Sequence, residues 1–466
     1  MVVGEVATAT QVLVVGGGPG GYAAALRAAA FGRQVTLVER DAVGGTCLNV
    51  GCIPSKVLIH AAEVAHLATT SSGTGVRVET TVDLAELQDH LRSVVSGLTG
   101  GVAQLLAASG VTVVRGTARF SRPNRMAILD DDAVSHIEFD EAILATGSRP
   151  VELTHLPFDG ERVVDSTGAL FAFTDVPATL IVVGGGYIGV ELGTAWRKLG
   201  AQVTIVEAEP ALLPGLEPRL GRVVARRLAD LGIDVRTSCR AGGLTDVGLE
   251  VAGADGATEI LPAERVIVAV GRRPNTDDLG LDVVGIRPTP TGHLIVDPTR
   301  WAGRRVLAIG DITPGPALAH KATAEAEVAA RTAAGIPARF EPAAVPAVVF
   351  ADPEVATVGA TVAEAEAVGV TARRFVFPMT ASSRARTLGA VAGHVELVAD
   401  GDGTVIGAHL ACANASELVA ELALAIELAA TVEDVAGTIH PHPTMSEGLL
   451  EAAHGLLGLP LHVTRR

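Results

Sequence analysis

Cys47 and Cys52 stand five positions apart in the run Gly44-Gly45-Thr46-Cys47-Leu48-Asn49-Val50-Gly51-Cys52-Ile53-Pro54-Ser55-Lys56, and they are half of the chain's cysteines. A bridge closing so short a loop removes only roughly 2 kcal/mol of unfolded-state entropy. That is little help to a chain of 466 residues, which can bury a large core. The pair therefore reads as thiol-disulfide chemistry. Pro54 favours the first helical turn, so a helix over about residues 53–66 would aim its positive end at the Cys52 sulfur and stabilise a thiolate there. Lys56, four residues beyond Cys52, falls on the same helix face.

Thiol exchange needs a base that cycles at neutral pH, which is the property of histidine. His442 sits in His440-Pro441-His442-Pro443, where two prolines hold the backbone out of a helix, and Glu447 follows five residues later. A carboxylate on one ring nitrogen would fix the tautomer and raise imidazole basicity. The plainer alternative is a capping box, with Thr444 as N-cap and Glu447 at N3 of the final helix. His440 reads as structural. Cys239 and Cys412 read as small buried hydrophobes.

These groups need elements to position them, and an internal repeat supplies two. Residues 12–15 form a short apolar strand run, followed by Gly16, Gly18 and Gly21, an Ala-rich helical stretch over 22–31, and a second strand, 34–39, ending in Glu39. Each marker recurs 168 residues later, as Gly184, Gly186, Gly189 and Glu207, after the strand run 180–183. The glycines allow a tight turn and close backbone approach to a pyrophosphate on a helix N-terminus, and the acid suits a ribose hydroxyl pair. Two fingerprints in register imply two dinucleotides. With no Arg in residues 201–215, Glu207 favours NAD over NADP, because a carboxylate repels a 2'-phosphate. A solvated strand end remains the bland reading of Glu207.

The strands 142–144 and 266–270 lead into Ala145-Thr146-Gly147 and Gly271 and return the chain from one unit to the next. Strand 306–309 delivers Gly310-Asp311 at its C-terminal end, where ligands bind in open α/β sheets. Asp311 could take a sugar-alcohol hydroxyl or simply begin a turn. From Pro346 the texture becomes α+β, with strands at 348–350, 374–377, 394–398 and 405–410. A helix over about 415–429 follows, apolar around much of its circumference. The fold class expected is thus α/β, two Rossmann-like domains with a C-terminal α+β interface domain. The boundaries are 1–150, 151–275, 276–345 (a central segment returning to the first domain) and 346–466.

Composition bounds the rest. Forty-eight per cent apolar and 19 per cent charged residues describe a globular chain, and a formal charge of -16 argues against phosphate-backbone binding. The most apolar stretches are short or interrupted by Glu, so no membrane span is expected. No Lys or Arg precedes Arg27 and no apolar h-region precedes the first strand, so neither a signal nor a transit peptide is expected, and a reducing cytoplasm is.

The cysteine run, both fingerprints, Ala145-Thr146-Gly147, Gly310-Asp311, Leu318-Ala319-His320-Lys321-Ala322, Asp352-Pro353-Glu354-Val355-Ala356 and His440-Pro441-His442-Pro443-Thr444-Met445-Ser446-Glu447 together resemble the class I pyridine nucleotide-disulfide oxidoreductases. They span nearly the whole chain, and within the family they look most like the branch that oxidises dihydrolipoyl groups with NAD. The resemblance implies FAD on the first unit, NAD on the second, a Cys47-Cys52 redox disulfide between them, and a homodimer. It makes Cys52 the sulfur that meets the flavin, Cys47 the interchange thiol, Lys56 and Glu191 an ion pair beside the flavin, and His442 with Glu447 a base contributed by the partner subunit.

FAD is thereby expected on Gly16, Gly18, Pro19, Gly21, Glu39, Gly45, Thr46, Lys56, Gly116, Ala145, Thr146, Gly147, Gly310, Asp311, Ala319 and His320. NAD is expected on Gly184, Gly186, Tyr187, Ile188, Gly189, Glu191, Glu207 and Gly271. No metal is expected. The implied partner is the lipoyl-bearing acyltransferase of a 2-oxo acid dehydrogenase complex. A glutathione-type reductase would want basic residues near Glu207, and a mercuric reductase would end in a vicinal cysteine pair; this chain has neither. An NAD(P)H-dependent reductase of another small disulfide stays open, as does a flavoprotein subunit whose disulfide is idle.

Overall fold

The computed structural model describes residues 7–70, 74–131 and 133–464. The chain forms two compact units: one from the residues up to Leu58 with Ala85–Val151 and Gly271–Glu341, the other from Ile59–Leu84, Glu152–Val270 and the residues from Pro342 on.

In the first unit, strands Ala7–Val15, Val35–Glu39, Thr112–Arg115, Ala133–Leu144 and Val306–Ala308 pair in parallel. The short strand Trp301–Gly303 closes one edge, and a hairpin, Thr117–Arg122 with Arg125–Asp130, folds against Ala133–Leu144. Central strands of such a sheet are covered on both faces and read as continuous apolar runs. Val12, Leu13, Val14, Ile143 and Leu307 accordingly have no exposed surface. The helix Pro19–Ala30 starts three residues earlier than its Ala-rich stretch suggests, because Pro19 takes the first helical position, where its missing N–H costs nothing.

The second unit repeats this design. Thr179–Val183, Gln202–Val206, Asp234–Arg236, Arg265–Val268 and Val163–Val164 form an all-parallel sheet, with the helix Tyr187–Lys198 after the glycines. A three-stranded antiparallel sheet, residues 240–262, is appended. The same unit contains the antiparallel sheet of Ala347–Val349, Val355–Gly359, Val405–Ala411, His394–Asp400 and Ala372–Pro378. The helices Ala415–Glu427 and Glu447–Leu456 pack there around Val395, Leu397, Leu410, Leu422 and Leu449.

Among the described residues one helix, Leu84–Ala108, is long and apolar enough by length and composition alone to cross a membrane. The expectation that every apolar stretch is short or interrupted by Glu did not allow for this one. Leu91, Val102 and Leu106 on this helix are buried, while Glu86, Asp89 and Arg92 fall in its first turns.

Alternation along His394–Asp400 puts Val395 and Leu397 into the core and His394 and Glu396 on the opposite face. That face is also buried: Arg219, from the helix Pro218–Asp230, reaches Glu396 at 2.8 Å, and His409 pairs across the ladder from Glu396. Burial pushes His394 down to about 4; Glu217 opposes this, and Arg219, His409 and Arg222 add to it. The folded-state value lies below the unfolded one, so stability is fully present above the unfolded value and is lost as pH falls toward about 4. The expected loss between neutral pH and pH 4 is about 3 kcal/mol from this residue. Melting curves across that window should show a shallower pH dependence for His394→Leu than for the parent.

Candidate active site

Cys52 is the first residue of the helix Cys52–Thr70, one position earlier than expected, so its sulfur stands where unsatisfied N–H groups favour negative charge. Cys47 lies on the preceding short helix, Gly45–Val50, and is half-buried whereas Cys52 is exposed. Both are free thiols and they are hydrogen-bonded to each other. That bond, then burial, then the charge on Cys52 push the Cys47 thiol far up, while Lys56 pulls it down. Lys56 is close enough to Cys47 for its charge to be felt. Tyr22, which the sequence did not mark, lies beside them: burial, and then the charge of Cys47, raise its hydroxyl above the ordinary value.

The cysteine loop is seated on the first fingerprint. Gly44 N donates to Gly17 O at 2.7 Å, and a Cβ on Gly45 would meet Gly18 Cα at 2.6 Å. Asn49, also unmarked, braces the loop by donating to Val43 O and Gly45 O and accepting from Thr99 Oγ1. Polar residues in a glycine-rich run carry no pattern that would have singled Asn49 out.

The two fingerprints superimpose in their details. Gly16 and Gly184 have φ of 99° and 112°, and Gly18 and Gly186 cap their helices with extended backbone and no side-chain bond. A Cβ on Gly21 would sit 1.8 Å from Gly16 O, and one on Gly189 would sit 1.9 Å from Gly184 O. Glu39 Oε2 accepts from Gly17 N at 2.6 Å and Glu207 Oε2 from Gly185 N at 2.5 Å. Each acid is thus fixed at a strand end beside an uncapped helix start, with Pro19 in one first turn and Tyr187 and Ile188 in the other. Those amides and carboxylates fit a dinucleotide at each place: pyrophosphate on the helix start, ribose on the acid.

Around the first fingerprint, Gly116 N donates to Glu39 O, and Ala145 N donates to Val15 O. Thr146 and Asn275 exchange hydrogen bonds, Thr146 Oγ1 to Asn275 O and Asn275 Nδ2 to Thr146 O, while Gly147 has φ of 68°. Asp311 Oδ2 accepts from Ser148 Oγ at 2.6 Å, and Arg272 donates to the same Ser148. Neither Ser148 nor Arg272 was predicted. Thr46 is exposed, and Ala319 and His320 open the helix Ala319–Ala333. In the second unit Ala269 stands where Ala145 stands in the first: a Cβ on Gly184 would meet Ala269 O at 2.4 Å, as one on Gly16 would meet Ala145 O at 2.3 Å. Gly271 itself belongs to the first unit, has φ of 129° and accepts from Val151 N.

Glu191 is buried on the helix Tyr187–Lys198 and accepts from Phe350 N at 2.9 Å. Lys56 lies in the first unit and Glu191 in the second.

His442 Nδ1 donates to Glu447 Oε1 at 2.8 Å, and the imidazole is 71% exposed. Since a carboxylate only accepts, this tautomer leaves Nε2 with its lone pair. The capping-box alternative is half right. Glu447 Oε2 accepts from Thr444 N at 2.9 Å, but Thr444 Oγ1 turns to Pro441 O, and the N-cap is Ser446 rather than Thr444. Glu447 therefore serves the loop and the histidine with different oxygens. Burial acts to raise its carboxyl, but the His442 bond and the Thr444 amide outweigh it and the net shift is downward. His440 anchors the loop between Glu421 and Thr438. Cys412 is buried, its thiol pushed up to about 12 by burial and by Glu354; Cys239 is half-buried against an apolar cluster.

Two dinucleotide cradles, a thiol pair at a helix start and a histidine-carboxylate pair define a pyridine-nucleotide-linked disulfide oxidoreductase. Residues 10–326 match the pyridine nucleotide-disulphide oxidoreductase family and residues 345–453 its dimerisation domain, so the chain belongs to that family. Similar curated proteins are the dihydrolipoyl dehydrogenases of Halobacterium salinarum (48% identical, covering 100% of both chains) and Geobacillus stearothermophilus (46%, covering 99% of both). Among solved structures, LpdA from Mycobacterium tuberculosis superimposes with a TM-score of 0.88 at 29% identity, covering 96% of this chain and 99% of that one. The HOCl-induced flavoprotein disulfide reductase RclA from Escherichia coli does so at 0.86 and 25%, covering 96% and 100%.

The glycine contacts predict separable defects. Gly189→Ala should raise the KM for NAD by about tenfold or more while the purified protein keeps its yellow flavin absorbance. Gly21→Ala should lose that absorbance.

Proposed function

We propose that this chain is a dihydrolipoyl dehydrogenase, taking an electron pair from dihydrolipoyl groups through Cys47 and Cys52 and delivering it to NAD. The observation that carries the reading is the hydrogen-bonded thiol pair, one member at a helix start, on a loop whose Gly44 N donates to Gly17 O of the first dinucleotide cradle at 2.7 Å. Full-length likeness to dihydrolipoyl dehydrogenases supports the substrate class.

FAD, when bound, supplies the two-electron link between the thiols and NAD. The chain's own residues do the rest. Cys47 exchanges with the substrate dithiol: the Cys47-Cys52 bond breaks, a mixed disulfide forms, and the second substrate sulfur displaces Cys47 to leave a closed lipoyl ring. Two electrons thereby enter the protein as a Cys47 thiol and a Cys52 thiolate, the latter stabilised by the helix start. His442 Nε2 takes the proton of the incoming dithiol, Glu447 holding the ring on its other side and balancing the imidazolium. The overall balance is dihydrolipoyl plus NAD+ to lipoyl plus NADH plus H+.

We assign residues 1–150 and 276–345 to flavin binding, 151–275 to NAD, and 346–466 to the subunit interface. The changes of unit after Val151, Val270 and Glu341 fall within a few residues of three of those limits, while Ile59–Leu84 groups with the second unit, which also holds the residues from Pro342 on. Ile439, beside the His442 loop, is 94% exposed, and Leu424, on the helix Ala415–Glu427, and Leu428, just past its end, are exposed too. A second copy of the chain covering these residues would bring His442 to its neighbour's thiols, which is our reading of the homodimer. The lipoyl-bearing acyltransferase of a 2-oxo acid dehydrogenase complex, in the cytoplasm, is the partner we assign.

The direct test mixes FAD-loaded protein with dihydrolipoamide and NAD, with NADP in parallel, and follows NADH absorbance. Rapid NAD-specific reduction is expected; no turnover with correctly loaded flavin would overturn the assignment. His442→Gln should slow dithiol oxidation by roughly 100-fold or more yet leave NADH-driven dye reduction, which bypasses the thiols, close to the parent rate.

A further inference from the structure

Glu325 lies on the helix Ala319–Ala333 with no exposed surface. An ionised carboxylate there requires compensation, and the surroundings provide it. Arg300 donates to Oε1 at 2.8 Å and Lys321 Nζ lies 2.9 Å from the same oxygen, while Gly310 N donates to Oε2 at 2.6 Å. Thr313 Oγ1 is 3.3 and 3.4 Å from the two oxygens, but its single proton has a nearer acceptor, Gly310 O at 2.8 Å. Lys321 Nζ in turn donates to Thr313 Oγ1 at 3.2 Å. Arg300 is itself buried, over the Phe340 ring at 5.2 Å; burial lowers its pKa and Glu325 opposes that.

Two buried cations around one anion are a poor way to gain stability, since apolar replacements of buried ion pairs are often neutral or better. What the network does accomplish is to hold both halves of one residue. The N–H of Gly310 goes to Glu325, and its carbonyl accepts from Thr313 Oγ1 and Thr313 N. Gly310 has φ of 75°, a conformation a free backbone would leave readily. The next residue is Asp311, whose Oδ2 is taken by Ser148; among the described residues its Oδ1 accepts no hydrogen bond.

We propose that Glu325 is a positioning residue for flavin binding: by clamping Gly310 it fixes the turn that presents the Asp311 carboxylate to the hydroxyls of the FAD sugar-alcohol chain. Lys321 and Arg300 hold the other oxygen of Glu325 in place for that task. The proposal rests on the reading that Asp311 meets FAD, and its test separates the two.

FAD is removed from the full-length protein and added back, with the dissociation constant read from flavin fluorescence. Glu325→Gln and Asp311→Asn should each weaken FAD binding by about tenfold or more. In the double variant the loss should fall well short of the product of the single losses, because one residue acts through the other. The visible flavin band of loaded Glu325→Gln should shift in the same direction as that of Asp311→Asn. An unchanged constant in Asp311→Asn would remove the Asp311 reading. Multiplying losses, or a constant within about twofold of the parent in Glu325→Gln, would overturn the role of Glu325 while leaving Asp311 in place. Should Glu325→Gln not accumulate, Lys321→Met/Glu325→Gln removes a buried cation with the anion; a parental constant in that folded variant overturns the proposal equally.

Discussion

Helix starts left without side-chain caps are the feature on which this site depends. Gly18 and Gly186 cap their helices in extended backbone and leave the first-turn amides with no capping side-chain oxygen. Cys52 occupies a third helix start, where the group receiving the field is a sulfur of the chain itself. The physical requirement is the same at all three: partial positive charge aimed at an anion, whether pyrophosphate or thiolate. It forces the glycines, because Gly21 and Gly189 lie where a Cβ would collide with the carbonyl of the turn they close.

Carboxylates then do the fixing. Glu39 and Glu207 lock their glycine loops through Gly17 N and Gly185 N, Glu447 locks the His442 loop through Thr444 N, and Glu325 locks Gly310. In each case the acid takes a backbone N–H with one oxygen. Glu39, Glu207 and Glu447 use the other on Asp41 N, Glu209 N and His442. A second bond of this kind restrains the rotation of the side chain and so sets where a ligand or an imidazole can sit.

The repeat was legible because its steric demands leave a mark at fixed spacing. Gly16, Gly18, Gly21 and Glu39 recur as Gly184, Gly186, Gly189 and Glu207, and the structure gives both sets the same backbone. The helix Leu84–Ala108 was not legible, its apolar period being interrupted by Gly97, Gly100 and Gly101. The Glu325 network escaped for another reason: Lys321 and Glu325 are an ordinary i,i+4 helix pair, and Arg300 and Gly310 join them only once the turn has folded. At Thr444 the pattern was seen but misassigned. The box residues are present, yet the threonine hydroxyl found Pro441 O first and the helix began two residues later.

The claim that the thiols, rather than the flavin alone, receive the electron pair is open to one direct measurement. Oxidised, FAD-loaded protein is reduced anaerobically with NADH, alkylated, and mapped by mass spectrometry against an unreduced control. Label is expected to appear on reduction in the Cys47 and Cys52 peptides, while Cys239 and Cys412 are labelled alike in both samples. No gain at Cys47 and Cys52, with a flavin that is nonetheless bleached, would contradict it.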